Sequence, residues 1–109
     1  MQKSTEIKRW QGNIVLPDYL TWPKLMRWDA VLRATGKYRE DDKIKSEFVM
    51  QFFDDLLPCI LDVVEEWHIE GLPEKPTVDT FPGSPELIAF LAEQLVDLYR
   101  KTNEVDPNL

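Results

Sequence analysis

Apolar positions along the chain follow two different rhythms. In TEIKRWQGNIVLP, the β-formers Ile7, Trp10, Ile14 and Leu16 surround Gly12-Asn13, a favourable two-residue turn, and Pro17 stops the second segment. This predicts a β-hairpin over about residues 5–17. An isolated hairpin is marginal, so it must pack on the helices that come after it in the chain. From Thr21 the spacing changes to three and four. Thr21 can cap a helix with Pro23 in its first turn, and Leu25, Trp28 and Leu32, widened by Met26 and Val31, form its apolar stripe. Gly36 is the natural stop, and KYREDDK reads as a charged connector.

A second helical pattern runs from about Asp42 to Ile69. Ile44, Phe48, Phe52 and Leu56 recur at four-residue steps, with Phe53, Leu57, Ile60, Val64 and Trp67 as a neighbouring stripe. Pro58 interrupts it. A proline inside a helix removes a hydrogen bond and clashes with the preceding turn, at about 3 kcal/mol. Two helices meeting near residues 55–57 are therefore favoured over one kinked helix, with Asp54 or Asp55 as the second cap and Pro58 in the first turn. GLPEKPTVDTFPGSP is a connector stiffened by proline, which Leu72, Val78 and Phe81 can pin to the core. Ser84-Pro85-Glu86 then opens a last helix with Leu87, Leu91, Leu95 and Leu98 in one row, Ile88 and Tyr99 beside it, and Arg100 and Lys101 at the end its dipole favours. A flexible tail is expected over about residues 103–109. The predicted fold is a single domain over residues 1–109, mainly α (α+β): a compact bundle of about four helices with a short N-terminal β-hairpin.

Length and composition agree with one ordinary globular domain: 109 residues, 43% hydrophobic and 30% charged. Four Trp, three Tyr and five Phe are ample core material. Charge changes the picture more. Twenty acidic against 13 basic residues give a net −7, which repels phosphate backbones and anionic lipid. The expected partner is therefore protein, with no nucleic acid and no membrane. The one cysteine, Cys59 in LLPCIL, forms no disulfide within the chain and reads as a small buried hydrophobe. The start of the chain, MQKSTEIKRW, shows no signal-peptide pattern, and LLPCIL is too short to span a bilayer. A cytoplasmic protein is expected.

The candidate chemistry is thin. Glu65-x-x-His68 would share a helix face, yet a di-metal carboxylate bundle needs two such motifs, and zinc needs more ligands than one Cys and one His. Cys59 and His68, nine apart, do not fall on one helical face. Asp54-Asp55, Glu65-Glu66 and Glu40-Asp41-Asp42 read as solvated acids rather than a glycosidase pair. The four glycines are scattered, so no phosphate cradle exists. No catalytic residue, metal or cofactor is expected, and the chain reads as a non-enzyme. The aromatics carry more. Trp22, just ahead of Pro23, with its neighbour Tyr19, is the first candidate for a partner-facing patch. Trp67, at the mouth of the proline-rich connector, is the second, with Phe81 on the connector itself.

Two stretches together, GNIVLPDYLTWPKLMRWDAVL and EEWHIEGLPEKPTVDTFPGSPELIAFL, resemble small acidic helical proteins encoded in the tail-morphogenesis modules of long-tailed bacteriophages and prophages, the tail assembly chaperones. The resemblance implies a non-enzymatic role in the bacterial host cytoplasm: holding an aggregation-prone tape measure or tail-tube protein until assembly. It implies no particular functional residue. Self-association through the same apolar surface is a further expectation. Two other roles fit the same sequence: an acidic phage-encoded inhibitor filling the nucleic-acid groove of a host enzyme, and a minor structural component of the virion.

Overall fold

The structure is a computed structural model that describes residues 1–41 and 43–103. In chain order it contains β1 (Gln2–Ser4), β2 (Gly12–Val15), α1 (Trp22–Ala34), β3 (Arg39–Glu40), β4 (Lys43–Ile44), α2 (Val49–Val63), β5 (Glu66–Ile69) and α3 (Pro85–Asn103), with 3-10 turns at Thr35–Tyr38 and Ser46–Phe48. Three helices pack with a three-stranded antiparallel sheet of order β1-β2-β5, while β3 and β4 form a separate small ribbon. This corrects the expectation of a four-helix bundle with only a hairpin beside it.

The correction has three local causes. The first is β5. Trp67 continues the helical spacing of Ile60 and Val64, but Val64 already turns extended, and residues 66–69 alternate exposed, buried, exposed, buried. Pairing with β2 sets Trp67 opposite Ile14, and both are buried. A strand that adds its apolar face to an existing sheet gains more than one further helical turn would. The second cause is the N-terminal hairpin, which is drawn differently from its prediction. Gly12 and Asn13 lie within β2, and the turn is the longer loop of residues 5–11. Thr5 N–H donates to the Gly12 carbonyl at 2.9 Å and Trp10 N–H to that of Ile7 at 3.1 Å. Gly12 is required for another reason than a turn. Its φ is +140°, and a Cβ there would sit 1.9 Å from the carbonyl oxygen of His68, so β5 approaches too closely for any side chain.

The third cause is α2, one helix through Pro58 rather than two helices meeting before it. Pro58 is on the exposed side, where water can satisfy the carbonyl that the missing N–H leaves over, while Leu56, Leu57, Cys59, Ile60 and Val63 face the core. The charged connector after α1 is also structured: β3 and β4 pair, with Asp41 left-handed at φ 51°. Asp42 of that stretch lies outside the described residues.

Other expectations hold. Thr21 is the N-cap position of α1 and accepts Leu25 N–H on its carbonyl at 2.8 Å, with Pro23 in the first turn; its side chain makes no cap bond. The Ser84 hydroxyl accepts Leu87 N–H at 3.2 Å, capping α3. Leu87, Leu91, Leu95 and Leu98 are all buried. Residues 71–84 contain no helix or strand; Leu72 and Phe81 pack on the core, whereas Val78 is 52% exposed and pins nothing. Of the expected tail, Asn103 ends α3 and residues 104–109 lie outside the described residues.

Three polar ties fix α1 and the segment before it. Arg27 pairs with Asp62 of α2 at 2.9 Å, the Tyr99 hydroxyl of α3 donates to Asp29 at 2.8 Å, and Leu20 N–H donates to the Thr102 hydroxyl at 3.0 Å. Among the described residues no helix is long and apolar enough to cross a membrane.

Candidate functional site

Tyr19, Trp22 and Met26 are the large apolar side chains left exposed around the start of α1. The chain leaves β2 through Leu16, which is buried, and bends at Asp18 and Tyr19. Leu20 then plugs the core and ties its N–H to the end of α3. On α1 the core side is taken by Leu25 and Trp28. The residues between these anchors are left outside: Tyr19 is 67% exposed, Trp22 70% and Met26 39%. Trp22 and Met26 are four apart and share a helix face. The patch is thus mounted on an ordered scaffold, since Leu20 fixes the lead-in and Asp29, bound by Tyr99 and Arg33, fixes the helix.

The second pair of candidates lies elsewhere. Trp67 is 7% exposed and meets Phe81 edge-to-face at 6.2 Å. Phe81 is half-buried against the core. These two rings close one corner of the core, over the sheet and under the proline-rich segment, and do not join the Tyr19–Trp22 ridge.

The residues weighed for chemistry also have clear places. The helix face that would have joined Glu65 to His68 does not exist, because the chain is extended there. Its period of two sets Glu66, not Glu65, beside His68, and they approach to 3.5 Å on the exposed face. Among the described residues no group of three or more His, Cys, Asp or Glu is arranged to hold a metal ion. Cys59 is buried in α2. Burial first, and the Asp62 carboxylate second, push its thiol pKa up despite the opposing charge of Arg27, the wrong direction for a nucleophilic thiolate. Asp55 is occupied by Tyr38 and Gln51, each at 3.1 Å.

One feature is only half visible in the helical reading of the sequence. A groove of about 250 Å³ opens between α2 and the start of α3, lined by Met50, Phe53, Leu57 and Ile88 and edged by Asp54. Met50 is 66% exposed at its rim. The spacing of Met50, Phe53 and Leu57 at three and four marks an apolar face, but only the return of α3 makes a groove of it.

No family model, curated protein or solved structure matches this chain. The functional reading therefore rests on the geometry of its surfaces.

Proposed function

We propose that this chain is a non-enzymatic binding protein that shields an apolar helical client, a tape measure or tail-tube protein, during phage tail assembly. The observation that carries the binding role is the exposed aromatic ridge, Tyr19 and Trp22 with Met26, held by a fixed scaffold. Tyrosine and tryptophan side chains lose little entropy for the apolar area they cover and recur at the energetic centres of protein interfaces, and the flexible methionine adapts to the apolar surface beside them. The resemblance to tail assembly chaperones supplies the phage setting. The net charge of −7 keeps such a carrier soluble while its ridge is open.

The test is co-expression with the tape measure and tail-tube proteins of a phage tail module, followed by affinity capture. The native chain retains a client, and a Tyr19→Ala/Trp22→Ala variant retains at least about tenfold less while its helical circular dichroism is unchanged. Undiminished capture by that variant overturns the ridge as the binding surface. A captured host polymerase or nuclease, released steeply by salt, assigns the chain to the inhibitor role instead.

A further inference from the structure

Among the described residues the three-stranded sheet ends at β5, with no further strand paired to that edge. Glu70 N–H donates to the Gln11 carbonyl at 2.9 Å, and the register sets His68 opposite Asn13 and Glu66 opposite Val15. In an antiparallel ladder, backbone groups alternate in direction, so residues 66, 68 and 70 bond inward to β2. Trp67 and Ile69 turn theirs outward. The Ile69 carbonyl is used by Leu72 N–H at 3.1 Å, and among the described residues the Trp67 N–H and carbonyl and the Ile69 N–H have no backbone partner on that edge. Beside this strand runs a cleft of about 330 Å³, with Glu65, Glu66, Trp67 and His68 on one wall and Glu74 and Lys75 of the proline-rich segment on the other.

We propose that this edge is a second binding site, separate from the aromatic ridge, which takes an extended basic segment of a partner protein as a fourth strand. The charges decide the occupant. Three carboxylates line the cleft against one lysine, so an incoming Lys or Arg is favoured. A second copy of β5 is disfavoured, because it would set Glu65, Glu66 and Glu70 against the same acids; charges of this kind are how natural edges resist self-pairing. The strand alternates polar outside and apolar inside, so the segment that fits alternates basic with β-branched residues. Its backbone supplies the affinity and its lysines the selectivity.

Amide hydrogen exchange by NMR on the full chain, with the peptide acetyl-Lys-Val-Lys-Val-Lys-amide as probe, tests this. Added peptide should slow exchange at Trp67 and Ile69 by at least about tenfold, because both N–H groups gain a partner. The same peptide with its edge-facing amides N-methylated should lose at least about tenfold in affinity, as should the Glu-Val counterpart against the native chain and the Lys-Val peptide against a Glu66→Lys/Glu74→Lys variant. Both substituted residues are exposed, so that variant keeps its fold. No binding at millimolar peptide, binding without protection of Trp67 and Ile69, or equal binding of the N-methylated peptide overturns the strand-addition site. Equal binding of the Glu-Val peptide overturns the basic occupant. Protection that appears with protein concentration alone assigns the edge to a second copy and overturns it too.

Discussion

At the start of α1, Tyr19 and Trp22 stand 67% and 70% exposed, while at the corner formed by β5 and the proline-rich segment Trp67 is 7% exposed with Phe81 edge-on at 6.2 Å. The side chains are all aromatic; their surroundings differ. Trp67 sits opposite Ile14 on a paired strand, and the proline-rich segment returns over it. At Trp22 the neighbouring core positions are already filled by Leu20, Leu25 and Trp28, so no second wall closes over the ring. An aromatic residue becomes core where topology brings two walls together and becomes surface where only one is present. The corner is therefore the place to disturb the fold, and the ridge the place to test the proposed binding.

The largest effect is expected at the corner. Trp67→Ala deletes a buried ring and opens a cavity beneath Phe81 and beside Ile14, which should cost about 3–5 kcal/mol. Against a typical total of about 5–15 kcal/mol, this is a large share of the stability. Denaturant unfolding with intact helical signal as reference measures it. A loss under about 1 kcal/mol would mean that the corner does not close over Trp67.

Gly12→Ala attacks the same corner from below. The new Cβ meets the His68 carbonyl, and φ of +140° is strained for alanine, so β2 and β5 must separate locally. The expected cost is about 2–3 kcal/mol, read by denaturant unfolding, with faster amide exchange confined to β2 and β5. Equal acceleration across α1 would remove the distinction between the two regions.

How much of the fold is legible in the sequence differs by element for physical reasons. α3 is fully readable: its cap, its leucine row and its terminal cations are local signals within one stretch. α1 is readable to its core face and to its exposed Trp22. β5 is not, because Ile60, Val64 and Trp67 keep helical spacing while the partner that makes a strand of residues 66–69 lies in β2, more than fifty positions earlier. Trp67 stands out in the sequence for its place at the mouth of the proline-rich connector, and its pairing in the sheet is what buries it. Pro58 points to a helix break, and only its placement on the exposed side of α2 shows why none is needed. Gly12 stands out in the sequence, but for a turn rather than for a close strand. The Tyr19–Trp22 half of the candidate site is visible in the sequence; the groove between α2 and α3 and the open edge of β5 depend on long-range packing.

A smaller effect is expected where α1 is tied down. Tyr99 donates to Asp29, and that bond, followed by desolvation and the Asp29 charge, raises the phenol pKa above its ordinary value of 10.0, with Asn103 and Arg33 opposing. A raised folded-state pKa means that the tie is fully present below the ordinary value and is lost as pH rises through the higher one. Tyr99→Phe should cost about 1 kcal/mol at neutral pH and should flatten the decline of stability above about pH 10. Cys59, also raised, keeps its own part of that alkaline limb in the variant. An unchanged pH profile would show that the tie does not hold α1.

The smallest effect on stability is expected at the ridge itself. Trp22→Ala removes a ring with little buried area, at a position already followed by Pro23, so unfolding should shift by no more than about 0.5 kcal/mol. Fluorescence supplies the positive counterpart. Trp28 is 1% exposed and Trp67 7%, and Trp10 is half-buried with its indole N–H donating to the Ser84 hydroxyl at 3.2 Å. Trp22 is thus the tryptophan a soluble quencher reaches most readily, and its removal should abolish most of the iodide-sensitive emission. A bound client should protect that emission to the same extent, because a segment lying on Tyr19 and Met26 also covers Trp22. Quenching that persists in Trp22→Ala would show that a second tryptophan is open to water, and the division between a closed corner and an open ridge would fail at that residue.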